Sequence, residues 1–243
     1  MFQSNKEYLE FLKQSGVHSF LQETPNNLFE DKQKQTPHAE DKAIKSLDEI
    51  MEIKDLTPLI LSHSSPLSKT STNMVLFDGN IKSKLMIIGE APGKEEDEQG
   101  LPFVGSAGQL LNKMLSAIQL DRKDIYITNV VPWRLPQDRP PTDQEILEFL
   151  PFLQRQIEII NPKCIYLLGT TAAKAILSTP LGLDTLREKW HDYKSINMDT
   201  SIKVLVSYHP STLLQSPKFK KEAWSDLQML QNCLLYTSPS PRD

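Results

Sequence analysis

Cysteine is nearly missing from this 243-residue chain, which holds only Cys164 and Cys233, far apart in sequence. That scarcity excludes a disulfide framework and a CxxC metal site. No apolar run approaches the roughly 18 residues of a membrane span. The opening MFQSNKEYLEFLKQSG carries charges where the apolar core of a secretory signal would lie. It reads instead as a short amphipathic helix on Tyr8, Leu9 and Leu12, and the expected location is cytoplasmic. No internal repeat is evident, and no GxGxxG follows a strand, which argues against dinucleotide binding. Net charge is small, −4, and unevenly placed: residues 1–60 carry seven lysines against eleven acids, whereas the remainder holds twenty basic and twenty acidic residues. A neutral domain would hold nucleic acid only through local donors such as Arg134, Arg139 and the Lys218, Lys220, Lys221 cluster, with modest, salt-sensitive affinity. The same lysines read equally well as a solvated helix face.

What is present is alternation. Strands are expected at 84–89, 125–131, 164–168 and 204–208, with helices at 106–120, 143–160, 171–178 and 217–231. This order implies an α/β fold with a parallel sheet covered by helices on both faces. Thr142 with Glu145 forms a capping-box pattern, and Ser216 before Pro217 marks another helix start. Pro151 is expected to kink or split its helix. Ahead of this region, residues 1–59 read as an N-terminal extension: a helix, a polar mobile linker over 24–43, and a second helix over 44–56 carried by Ile44, Leu47, Ile50 and Met51. Residues 60–232 form the main domain. The last eleven residues, CLLYTSPSPRD, back-translate with allowed codons to a sequence that resembles a transposase adapter of sequencing libraries, so 233–243 are read as a non-native tail. The other reading is an ordinary Ser/Pro tail; either way the segment stays out of the fold reasoning.

The most informative stretch runs from Lys84 to Leu111. Leu85, Met86, Ile87 and Ile88 form an apolar run that stops at Gly89, as a strand buried on both faces should. A loop follows, then a helix on Val104, Ala107, Leu110, Leu111, Met114, Leu115 and Ile118. In open α/β sheets ligands bind at such carboxyl ends. Every expected strand ends in something chemically distinctive: the 89–93 loop, Thr128 with Asn129, Gly169 with Thr170, and Tyr208, His209 and Pro210. A triphosphate site is excluded, because the glycines of GEAPGKEED are four apart, Lys94 is followed by Glu95, and Glu95, Glu96, Asp97 and Glu98 would repel phosphate.

Four ordered blocks, GEAPGKEEDEQGLPFVGSAGQLL, YITNVVPWRLP, PKCIYLLG and YHPSTLL, resemble the family 4 uracil-DNA glycosylases of the uracil-DNA glycosylase superfamily, over roughly residues 60–232. The resemblance implies a three-layer α/β/α sandwich around a central four-stranded parallel sheet. It implies hydrolysis of the N-glycosidic bond of uracil flipped out of DNA, in base-excision repair. It assigns catalytic roles to Glu90, Asn129 and His209. Asn129 reads the base edge by accepting from N3–H and donating to O4. His209 donates to O2 of the departing uracil, and Glu90 holds the attacking water or offsets positive charge on the sugar. Related glycosylases place an aspartate base one position later, where this chain has Ala91. Phe103 stacks on the base and Glu96 blocks thymine's C5-methyl, while Gly89, Ala91, Pro92 and Ser211 complete the base pocket. Expected DNA contacts are Gly105, Gly108 and Arg139, with Leu213 and Leu214 as wedge candidates that read equally well as core.

Two departures from the family stand out. Most members carry an iron-sulfur cluster on four cysteines, and those positions fall here on Ser62, Ser65, Trp133 and Phe149, none of which donates a thiolate. No cofactor and no metal are therefore expected, with Cys164 as a core residue. Asp138 stands where the family often has asparagine. The expectation is a monomeric glycosylase with uracil-containing DNA as partner and no membrane association. The rivals are a catalytically silent DNA- or nucleotide-binding module on the same fold, or a glycosylase for another damaged base.

Overall fold

The computed structural model describes residues 47–236. Its strands are β1 (Phe77–Gly79), β2 (Leu85–Gly89), β3 (Tyr126–Asn129), β4 (Cys164–Leu168), β5 (Trp190–Tyr193) and β6 (Ile202–Ser207). Its helices are α1 (Ile53–Ser62), α2 (Lys94–Gln99), α3 (Ser106–Ala117), α4 (Asp143–Ile160), α5 (Thr170–Leu177), α6 (Leu183–Leu186), α7 (Pro210–Gln215) and α8 (Lys220–Tyr236). Among the described residues, no helix is long and apolar enough to cross a membrane.

The sheet has six strands in the order β1-β3-β2-β4-β6-β5. The central four, β3, β2, β4 and β6, pair in parallel, while β1 and β5 lie antiparallel on the two edges. The expected four-stranded sheet is thus the middle of a wider, mixed one. Both edge strands escaped the sequence reading for a physical reason: FDG and WHDY are short and partly exposed, with no apolar run to mark them. The parallel strands are buried throughout, apart from Lys203 in β6.

Alternation along these strands divides the core in two. Met86, Ile88, Ile165, Leu167, Val204 and Val206 pack with α1, α4 and α5. Leu85, Ile87, Cys164, Tyr166, Leu168 and Leu205 pack with α3 and α8 on the other face. This is the α/β/α sandwich. Ile53, Leu56 and Ile60 of α1 belong to the first core, as does Ile50 before it. Nε and Nη2 of Arg155 on α4 both donate to the Ile50 carbonyl, at 2.8 and 2.7 Å. The domain boundary expected at residue 60 therefore falls inside a packed helix. The helix expected over 44–56 is instead a 3-10 turn, Leu47–Glu49, followed by α1. Ile44, the helix on Tyr8 and the 24–43 linker lie outside the described residues, as do 237–243.

Local signals fared well where capping chemistry was explicit. Oγ1 of Thr142 accepts from the Glu145 amide and Oε2 of Glu145 accepts from the Thr142 amide, closing the capping box that starts α4. Pro151 does not split the helix, which runs unbroken from Asp143 to Ile160. Ser216 makes no side-chain cap; a 3-10 turn at Pro217–Phe219 leads into α8.

One charged group sits deep in the second layer. Asp226 of α8 is fully buried and receives Arg187 through Nε and Nη2 at 2.9 and 3.1 Å, with the Ser207 hydroxyl donating at 2.6 Å. The Arg187 guanidinium also lies 4.3 Å from the centre of the Tyr208 ring. This bundle ties α8 to the end of β6, next to His209. Removing one partner strands a buried charge, so Asp226→Ala is expected to lower stability by about 3 kcal/mol. Urea unfolding would measure this, and an unchanged midpoint would contradict it.

Candidate active site

The chain leaves β2 towards β3 but leaves β4 towards β6, so the connections diverge between β2 and β4. A crevice opens there at the carboxyl ends of the strands. Gly89 closes β2, and a Cβ on it would lie 2.4 Å from Cζ of Phe103 and 2.5 Å from Oδ1 of Asn129. Only a bare backbone lets the ring and the amide approach so closely.

A cavity of about 270 Å³ fills the crevice. From the first sequence block, Glu90, Ala91, Pro92, Glu96, Phe103 and Gly105 line it. Asn129, Arg139, His209 and Ser211 close it from β3, the following loop and the end of β6. Residues scattered over more than a hundred positions thus line one cavity. Gly169 and Thr170 border an adjoining cavity that shares Glu90 and His209. Thr128 faces elsewhere, donating to the Leu76 carbonyl at 2.6 Å.

Phe103 is buried with φ of +52°, a left-handed conformation rare for a bulky residue. Its ring centre lies 5.6 Å from that of His209. Asn129 is 4% exposed, and its Oδ1 has no hydrogen-bond partner in the protein. A buried acceptor left unpaired is costly in a folded chain, so this oxygen marks a place where a ligand donor belongs.

His209 caps α7. The Ser211 amide donates to Nδ1 at 3.2 Å, and the Ser211 hydroxyl lies 2.7 Å from the same atom. A backbone N–H can only donate, so Nδ1 is an acceptor and the proton of the neutral ring sits on Nε2. The ring keeps an exposed edge, but the protein around it is dense enough for burial to lower its pKa to about 4. It is therefore a neutral hydrogen-bond donor at physiological pH.

Glu90 is half-buried, and Oε2 accepts from the hydroxyl of Thr171 on α5. Oε1 of Glu96 accepts from the amides of Val104 and Gly105 at 2.9 and 2.8 Å, fixing the chain just after Phe103. Thr171 and the backbone-holding part of Glu96 went unnoticed in the sequence, where nothing distinguishes a first-turn threonine or one acid among four.

Other expected contacts are placed differently. Gly108 is buried, and a Cβ there would lie 1.8 Å from the Phe103 carbonyl, so its glycine serves packing rather than contact with a ligand. Leu213 is 1% exposed within the second core, whereas Leu214 is 43% exposed. Of the expected wedge pair, only Leu214 stands at the surface. Arg139 holds Glu145 in two contacts of 2.8 and 2.6 Å, and that contact keeps the Glu145 carboxyl at about 2. Arg134 likewise grips Asp138 at 2.7 and 2.9 Å, which lowers the Asp138 carboxyl.

The four positions where the resemblance expects cluster cysteines hold other side chains in other contacts. Oγ of Ser62 donates to the Leu59 carbonyl, and Oγ of Ser65 accepts from the Leu67 amide. Trp133 and Phe149 are buried in the first core. Phe149 meets His63 edge-on at 6.0 Å, and His63 meets Phe152 at 5.6 Å. The two cysteines belong to the opposite face of the sheet. Among the described residues, no three His, Cys, Asp or Glu side chains group as metal ligands.

Residues 76–228 match the family model of the Uracil DNA glycosylase superfamily, and the chain belongs to that superfamily. Among its relatives is the type-4 uracil-DNA glycosylase of Archaeoglobus fulgidus, 39% identical over 77% of this chain and 92% of that protein. The type-4 enzyme of Pyrobaculum aerophilum is 38% identical over 74% and 93%, and that of Thermotoga maritima 40% identical over 62% and 77%.

The shift at His209 has a definite sign. Its folded pKa lies below the unfolded value of about 6.5, so its contribution to stability is present above that pH and is lost as pH falls towards 4. Titrating the imidazole by NMR should give a midpoint near 4. A midpoint at the ordinary histidine value would contradict the lowering of its pKa by burial.

Proposed function

We propose that this chain is a uracil-DNA glycosylase that takes a uracil flipped from DNA into the β2 to β4 crevice and hydrolyses its bond to the sugar. The observation that carries this reading is the unpartnered Oδ1 of Asn129, facing a stacking ring and a neutral imidazole donor across one small cavity. Uracil presents what that wall needs: an N3–H for Oδ1, an O4 for the Asn129 amide N–H, and a flat face for Phe103. Cytosine lacks the N3–H, so it would leave the oxygen unpaired, and such a defect discriminates strongly. A silent binding module gives no reason to keep this set intact.

Cleavage develops negative charge on the departing base and positive charge on the sugar. Nε2–H of His209 donates to O2 as charge gathers there, from a fixed, partly dehydrated position where a hydrogen bond counts most. Glu90, held by Thr171, holds the attacking water or offsets the sugar's charge. No carboxylate follows it at Ala91, so stabilisation of the leaving base carries most of the catalysis. Glu96 fills the space that thymine's C5-methyl would need. Leu214 is the wedge for the emptied stack, with the Gly105 backbone and Arg139 at the DNA, and Arg139 exchanging Glu145 for phosphate. The protein acts as a monomer in the cytoplasm, in base-excision repair.

The reading extends to the missing cluster. With serines, tryptophan and phenylalanine at the four positions, packing of Trp133, Phe149, Phe152 and His63 takes the structural place of iron and sulfur.

Two measurements test these points. Oligonucleotides carrying uracil should become alkali-labile on incubation while matched thymine strands stay intact, and His209→Ala should lower kcat about 100- to 1000-fold. Failure to act on uracil in both single and double strands would overturn the enzyme reading. The purified protein should be colourless and free of iron; a brown protein with bound iron would overturn the account of Trp133 and Phe149.

A further inference from the structure

Arg122 lies in the short 3-10 turn between α3 and β3, outside the lining of the cavity. Its guanidinium nonetheless turns inward. Nη1 donates to the Phe103 carbonyl at 2.8 Å and to Oδ1 of Asn112 at 3.1 Å, and Nη2 donates to the Pro102 carbonyl. Nε donates to Oδ2 of Asp78, on edge strand β1, at 2.7 Å. Two successive carbonyls are thus held by one planar fork, whose angle is set from behind by an aspartate and an asparagine.

These carbonyls flank a strained, bulky residue in the wall of the cavity. Phe103 occupies the left-handed region, which a bulky side chain enters only when its surroundings over-determine it. Those surroundings are visible on both sides. Before and at residue 103 the chain is held through its carbonyls by the cation of Arg122. After it, the chain is held through the Val104 and Gly105 amides by the carboxylate of Glu96. Bare Gly108 lets the Phe103 carbonyl settle against α3.

We propose that Arg122 is a positioning residue for base recognition: its guanidinium holds the Pro102 and Phe103 carbonyls and thereby sets the plane of the Phe103 ring against the flipped base. This rests on the reading of Phe103 as the stacking wall. A lysine at 122 keeps the charge but offers one point rather than a fork, so it cannot hold two carbonyls and Asp78 together. Misplacing a recognition group by a fraction of an ångström lowers the rate without weakening the phosphate contacts that dominate DNA affinity.

The test compares wild type, Arg122→Lys, Phe103→Ala and the double variant on a uracil oligonucleotide, with amide hydrogen exchange on the same proteins. Arg122→Lys should lower kcat about 10- to 100-fold with KM for DNA little changed. In the Phe103→Ala background, the same substitution should change kcat by less than about twofold, because no ring remains to be placed. Equal losses in both backgrounds, or full activity of Arg122→Lys, would overturn the proposal. Exchange at Val104 and Gly105 should quicken in Arg122→Lys while β2 stays protected; unchanged exchange would also overturn it. Wild type that releases no uracil would sink the function proposed above, and the exchange comparison would then decide the clamp by itself.

Discussion

The structure depends on a side chain that residue 89 does not have. Gly89 ends a strand buried on both faces, and the space its Cβ would fill is shared by the Phe103 ring and the Asn129 amide. Three segments of chain meet at that point. The register of β2 against β3 sets Gly89 beside Asn129, and the strained turn before α3 brings Phe103 over the pair. A methyl group there would push the ring, the amide or the strand, so the cavity's shape is decided by backbone before any functional group is considered.

Charge is distributed around the cavity in a consistent way. The imidazole donor at the cavity is neutral, because burial keeps the His209 ring unprotonated and the Ser211 amide fixes which nitrogen carries the hydrogen. The nearby cations are paired: Arg134 with Asp138 and Arg139 with Glu145. A site for a reaction that builds positive charge on a sugar benefits from such an arrangement, since the charge of both arginines is already offset by a carboxylate. Glu90 remains as the half-buried carboxylate at the mouth, tied to α5 through Thr171. The deep Arg187 and Asp226 pair reaches the same place from below, through Tyr208, the residue before His209.

Much of this was legible in the sequence, and the residues show why. Buried parallel strands announce themselves as apolar runs, so β2 and β4 were located to within a residue, and Thr142 with Glu145 marked the start of α4. The strand ends pointed to the cavity, because a polar or glycine residue abruptly following such a run stands out against its apolar neighbours. What stayed hidden was of two kinds. Short edge strands such as Trp190–Tyr193 are held by pairing to a neighbour rather than by their own pattern. Groups that act on backbone were equally silent: Arg122 lies in an ordinary RKD turn, and only the folded chain shows that its guanidinium reaches two carbonyls almost twenty residues back. Leu213 and Gly108 illustrate the converse, since residues beside a motif were drawn into the site by proximity in sequence while the fold had placed them in the interior.

Phe103 bears on how such a site persists through sequence change. Glycine or asparagine at a left-handed position would relieve strain of about 1 kcal/mol or more, but would forfeit the burial of the Phe103 ring, which is worth more. The large aromatic is held there by an arginine on one side and a glutamate on the other, so its burial and these backbone contacts together offset the strain. Residues 103, 122 and 96 thus act on one turn of backbone. A change at any one alters what the other two hold in place, so the effects of substitutions at the three positions should not add.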